Sequence, residues 1–124
     1  GNFSVWQIGV PLICHFPGAK PQKYSHRTTH YDIVPTLMHN YLGVKSPVSD
    51  YSMGHLLSDN CSRKWHIVGS NLNYAFIIGG DSILEKNAEG GLDVYDARMN
   101  PVSNYRLDTR AFNKAMDKLN KFYK

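Results

Sequence analysis

The hydrophobic pattern along the chain changes period as the sequence proceeds. Val10-Pro11-Leu12-Ile13-Cys14-His15-Phe16 is a continuous apolar run between Gly9 and Pro17-Gly18. Continuity without alternation predicts a strand covered on both faces, with Pro11 near its start because proline cannot donate to a ladder. Residues 17–30 are polar, carry Pro17, Gly18 and Pro21, and predict a loop. The period then becomes helical: Val34, Leu37, Met38, Tyr41 and Leu42 share one face. Asp32 offers an N-cap, Pro35 fits the first turn, and Gly43 suits the residue past the end, predicting a helix over 33–42. Residues 44–64 form a second loop with Pro47 and Gly54 and a helical turn near Leu56-Leu57. Beyond it the runs are short and β-prone: Trp65–Gly69, Tyr74–Ile78, Ser82–Lys86 and Leu92–Tyr95. Asn71-Leu72-Asn73, Gly79-Gly80-Asp81 and Glu89-Gly90-Gly91 punctuate them, which predicts an antiparallel meander. Asp108 caps a last helix to about Tyr123, whose stripe of Phe112, Ala115, Met116, Leu119 and Phe122 packs on one face of the meander. The class is α+β, with residues 1–64 (strand 10–16, helix 33–42) preceding a meander and closing helix over 65–124.

Composition narrows this picture only a little. A chain of 124 residues suffices for one small domain that buries a core without staples. With 42% hydrophobic and 19% charged residues it is not a disordered segment. The net charge of +4 favours anionic surfaces in general and names no partner. Part of the excess sits in Lys114, Lys118, Lys121 and Lys124, where cations suit the C-terminal end of a helix; a lipid or phosphate role is the competing reading. Two cysteines, Cys14 and Cys61, make no disulfide framework. Cys14, inside the apolar run, reads as a buried free thiol, and a bridge to Cys61 stays open in an oxidising compartment. No apolar stretch approaches the ~18 residues of a membrane span. No signal peptide is present, and the opening Gly1-Asn2-Phe3-Ser4 fits a piece cut from a longer chain.

Candidate chemistry is sparse. His26-x-x-x-His30 has the spacing of a helical zinc pair, but it lies in a proline-flanked loop without a completing Cys or Glu, so solvated loop histidines are the expectation. His15 reads as a core or rim histidine. There is no G-x-S-x-G elbow; Ser25 and Ser52 read as loop serines and Asp32 as a cap. Gly79-Gly80 and Gly90-Gly91 match no phosphate loop. Trp65, Tyr74, Phe76 and Tyr95 could stack bases, but no accompanying motif supports it, and core aromatics are the expectation. No catalytic, cofactor-binding or metal-binding residue is assigned, and no nucleic-acid partner is expected.

One combination of motifs is specific. Val10-Pro11-Leu12-Ile13-Cys14-His15-Phe16-Pro17-Gly18, then Tyr31-Asp32-Ile33-Val34-Pro35-Thr36-Leu37-Met38, Leu42-Gly43 and Ser52-x-Gly54-x-x-Leu57 resemble, in order and spacing, the sulfatase pattern of the alkaline phosphatase superfamily. The likeness spans roughly residues 8–57. Within that superfamily Asp50-Tyr51-Ser52-x-Gly54 and the aromatic meander resemble the YejM/PbgA family of inner-membrane proteins. The resemblance implies the C-terminal portion of an α/β/α fold, with Val10–His15 a late strand of its central sheet, and the rest of that domain as partner. It implies a periplasmic part of a bacterial inner-membrane protein, linked to lipopolysaccharide and cardiolipin homeostasis in the Gram-negative envelope, with anionic lipid or lipopolysaccharide as partner. Active relatives keep their nucleophile and divalent-metal ligands upstream of the V-P-L-I strand, so no catalytic role carries over to this chain and a non-catalytic function is expected. The alternative is part of an active sulfatase or phosphoglycerol-transferase-type hydrolase whose metal site lies upstream of Gly1. Cut from its partners, the run at residues 8–16 would self-associate.

Overall fold

Strand, turn and helix signals resolve into an α+β arrangement in a computed structural model that describes residues 3–59, 63–70, 73–87 and 89–123. It comprises two compact units: Leu12–Ser62, and Gly1–Pro11 together with Arg63–Lys124.

The second of these is built on a four-stranded antiparallel meander in sequential order: β1 (Trp65–Ser70), β2 (Asn73–Ile78), β3 (Ser82–Lys86) and β4 (Leu92–Tyr95). The expected strands therefore form, within a residue at each end. Gly79, at φ +68°, makes the β2–β3 turn in a conformation that disfavours a Cβ. Gly90, at φ +85°, does the same before β4, where Asn87 Oδ1 accepts from Gly91 N–H. The expected turn at Asn71-Leu72 lies outside the described residues.

Both faces of β2 are covered, which is why Ala75-Phe76-Ile77-Ile78 is a buried apolar run rather than an alternation. On one face Ala75 and Ile77 join Ile83 and Phe3, with Ile8, Val68, Tyr95 and Met99 packed around them. On the other, Phe76 meets Phe112 edge to face with centroids 5.2 Å apart, beside the buried Leu84 that pairs with it across β3. Phe112 belongs to α3 (Thr109–Phe122), which Asp108 caps by accepting Ala111 N–H at 3.0 Å. The helix buries Ala111, Ala115 and Leu119, as its stripe requires. The first face is sealed by the chain start: Phe3 is 1% exposed, and α1 (Val5–Ile8) is tied on by Val5 N–H donating to the Ala97 carbonyl. Residues 3–8 thus belong with the meander, a placement that the division at 64/65 did not contain.

The run at residues 10–16 forms no strand here, contrary to the expected core strand. Val10 is 58% and Ile13 92% exposed, and Cys14 is an exposed free thiol rather than a buried one. The physical reason is the lack of a neighbour: the four strands of the sheet pair among themselves, and no ladder among the described residues reaches this segment.

The Leu12–Ser62 unit carries α2 (Ile33–Asn40), two residues shorter than the expected 33–42. Gly43, at φ +67°, turns the chain so that Val44 N–H donates to the Met38 carbonyl. Phe16 stacks on Tyr41 at 4.4 Å between centroids.

Candidate functional site

The densest polar constellation among the described residues lies in the Leu12–Ser62 unit and is assembled from motif residues. Thr29-His30-Tyr31-Asp32 winds into a single 3-10 turn just before α2, with Asp32 N–H donating to the Thr29 carbonyl. The Asp32 carboxylate is fully buried. Its Oδ2 accepts Thr29 N–H at 2.7 Å, and its Oδ1 accepts His55 N–H at 2.8 Å. One acid therefore closes its own turn and reaches a loop 23 residues away. The expectation that Asp32 is a simple N-cap of the helix is corrected: it makes no side-chain cap bond to α2.

Thr36, one turn further on, repeats the device. Its Oγ1 donates to the Asp32 carbonyl at 2.7 Å and accepts Leu57 N–H at 2.8 Å. Ser52 completes the set, donating to the Tyr31 carbonyl and accepting Gly54 N–H, both at 3.0 Å. Gly54 is demanded by proximity: a Cβ there would lie 2.0 Å from the Tyr31 carbonyl oxygen. His26, expected in solvent, is half-buried with Nε2 3.0 Å from the Leu57 carbonyl. Asp32, Thr36, Ser52 and Gly54 thus form a clasp between the start of α2 and loop 52–57. Each of these six bonds joins a side chain to a backbone group, so the arrangement fixes a chain path.

The remaining candidates are dispersed. His30 and His15 are exposed, and His39 sits against Asn40 Oδ1 at 3.1 Å. Among the described residues no three His, Cys, Asp or Glu side chains gather as a metal site. Cys61, and with it a bridge to Cys14, lies outside the described residues. Phe76 is core rather than a stacking platform, and Trp65 and Tyr95 are half-buried. A cleft of about 340 Å³ runs between the sheet and α3, lined by Tyr74, Lys86, Asn87, Met116 and Asn120 among others. There the Tyr74 hydroxyl is pushed above its ordinary pKa by desolvation and by Tyr123, whose ring lies 5.2 Å away. Asp96 is held below the usual carboxylate range, chiefly by the Asn100 side chain. The clasp, unlike these, was missed as a unit because its bonds span distant sequence; the paired signatures around Asp32 and Gly54 were the signal.

No family model matches the chain. Over 95 residues it is 38% identical to Inner membrane protein YejM of Salmonella typhimurium strain LT2, and equally to Inner membrane protein YejM of Salmonella typhi. The aligned stretch covers 77% of this chain, and the chain spans 16% of the length of these curated relatives. The inner-membrane resemblance expected from the motifs is thus found. No helix among the described residues is long and apolar enough to cross a membrane.

Proposed function

We propose that this chain, a relative of the YejM inner membrane proteins, forms part of the periplasmic, sulfatase-like domain of an inner-membrane protein of the Gram-negative envelope. Its role there is structural and non-catalytic, in a protein that serves lipopolysaccharide and cardiolipin homeostasis. The observation that carries this reading is the orientation of the motif residues. In a catalytic site, acids and hydroxyls converge on a space that a substrate can enter. Here Asp32, Thr36 and Ser52 are buried and bond to backbone groups of their own unit. The sequence features that resemble sulfatases therefore act as architecture, holding α2 and loop 52–57 in fixed register.

The reading is tested in cells that carry the protein, with an antibody against this chain. The expected result is recovery in the inner-membrane fraction, with digestion by added protease only after the outer membrane is opened. Recovery in the cytosol, or protection in opened cells, overturns it. The non-catalytic half is tested with the purified chain and aryl sulfate or aryl phosphate esters. No turnover is expected with or without added divalent metal, and turnover abolished by a chelator overturns that half.

A further inference from the structure

We propose that the cleft between the sheet and the C-terminal half of α3 is a binding site for a neutral pyranose ring of a glycan. Strand register makes the cleft. Ala75 pairs with Glu85 and Phe76 with Leu84, so alternation brings Tyr74 and Lys86 to the same face of the sheet as Phe76 and Leu84. The helix packs chiefly on β1 and β2, which leaves Lys86 and Asn87 beside it rather than beneath it. The space between them measures about 340 Å³, within the range of ordinary small-ligand sites.

The lining divides by chemistry. Phe76 and Leu119 are buried and Met116 half-buried, which gives an apolar floor. Tyr74 supplies an aromatic wall, set edge-on against Tyr123 at 5.2 Å between centroids, so its ring is positioned before anything binds. Three carboxamides from three elements stand around it: Asn73 at the start of β2, Asn87 after β3 and Asn120 on α3. A carboxamide offers a donor and an acceptor side by side. Asn87 Oδ1 already accepts from Gly91 N–H, so this side chain adds chiefly its NH2.

A pyranose matches that division. One face of the ring is a plane of C–H bonds, which packs on an aromatic or thioether surface. Its edge carries vicinal hydroxyls, each both donor and acceptor, which pair with carboxamides. Other classes meet specific obstacles. A nucleobase stacks best between two aromatic faces, and here Phe76 is committed edge to face with Phe112. An anion would face the C-terminal half of α3, where the helix dipole is negative, with the single ammonium of Lys86 to offset it. Among the described residues no acid lines the cleft, so a cation finds no counter-charge.

Titration of the purified 124-residue chain with the methyl glycosides of glucose, galactose, mannose and N-acetylglucosamine, followed by NMR, tests this. At least one glycoside should shift the side-chain NH2 signals of Asn73, Asn87 and Asn120 and the Met116 methyl signal, saturating with a Kd on the order of 1 mM. Sorbitol, which carries the hydroxyls without a ring face, should shift none of them. Asn120→Ala should weaken binding about two- to tenfold, the usual worth of a lost hydrogen bond, while Lys86→Gln leaves it nearly unchanged. No shift by any glycoside well beyond that concentration overturns the proposal, as do equal shifts with sorbitol or shifts confined to residues away from the cleft. A stronger response to inorganic phosphate, abolished by Lys86→Gln, overturns it in favour of an anion site. If Asn120→Ala fails to fold, the comparison of ring and open-chain polyols on the unaltered chain still decides. The outcome does not depend on where in the cell the protein resides, so it stands or falls apart from the localisation proposed above.

Discussion

Replacing Asp32 by alanine strips acceptors from two half-buried backbone donors, the Thr29 and His55 N–H groups. An N-cap alone is worth ~1 kcal/mol, whereas bonds to a charged acceptor contribute about 1.5–3 kcal/mol each and donors orphaned away from water carry a penalty. Asp32→Ala should therefore destabilise by about 2–4 kcal/mol in urea unfolding. A loss near 1 kcal/mol would mean that the His55 arm of the clasp contributes nothing. Gly54→Ala attacks the same place sterically. Its Cβ would press on the Tyr31 carbonyl, carbonyl carbon and Asp32 nitrogen, all backbone, so a loss of about 2–3 kcal/mol or more is expected. Unchanged unfolding midpoints would refute the close approach. Sequence alone showed that Asp32 wanted a backbone partner near a helix start. It did not show that the second partner stands 23 residues on, because a side chain's distant acceptors are set by tertiary path, not by local pattern.

At the scale of elements, strands and α3 were legible because local signals agreed with one another. Asparagine- or glycine-rich turn signals separated the β-prone runs, and an apolar stripe followed a capping acid. Asp108→Ala should accordingly cost about 1 kcal/mol, the ordinary worth of a lost cap, measured by thermal unfolding followed at the helix band. The turn after β4 offers a pH test. Asp96 Oδ1 accepts Arg98 N–H at 2.8 Å and Asn100 N–H at 2.9 Å, and Oδ2 accepts from the Asn100 amide at 2.9 Å. These bonds favour the charged form and depress its pKa. A depressed carboxyl stabilises the fold above its unfolded pKa, and that contribution fades as pH falls through the lower folded value. The Asp96 carboxyl resonance should titrate below that of a free aspartate, and Asn100→Ala should move the midpoint upward. Less legible was Val10–Phe16. A continuous apolar run reports a demand for cover on two sides, and β2 meets that demand with Phe3 and α3. The same signal at residues 10–16 meets cover only at Phe16, which stacks on Tyr41, while Val10, Leu12 and Ile13 stay exposed, since pattern records the demand and not its fulfilment.

For the whole molecule, the exposed run has a direct outcome. Val10, Leu12 and Ile13 are exposed and lie in no strand ladder, and an apolar segment of extended chain left outside a sheet recruits another chain. Apparent mass in light scattering should rise with concentration, and Leu12→Lys should hold the chain monomeric; a monomer throughout would remove self-association from the account. The placement of residues 3–8 on the sheet was the largest whole-chain feature not visible in sequence, because Phe3 and Ile8 carry no periodicity long enough to read. The clasp has its own signature in time. Thr29, Gly54, His55 and Leu57 lie outside every helix and strand, yet their amides are held by side-chain oxygens of Asp32, Ser52 and Thr36. In deuterated water these loop amides should exchange on the slow schedule of ordered secondary structure, while those of Leu12 to Phe16 exchange at nearly the rate of an open chain. A loop that keeps its protons while an apolar run gives them up inverts the usual map, and Ser52→Ala should speed the Gly54 amide first.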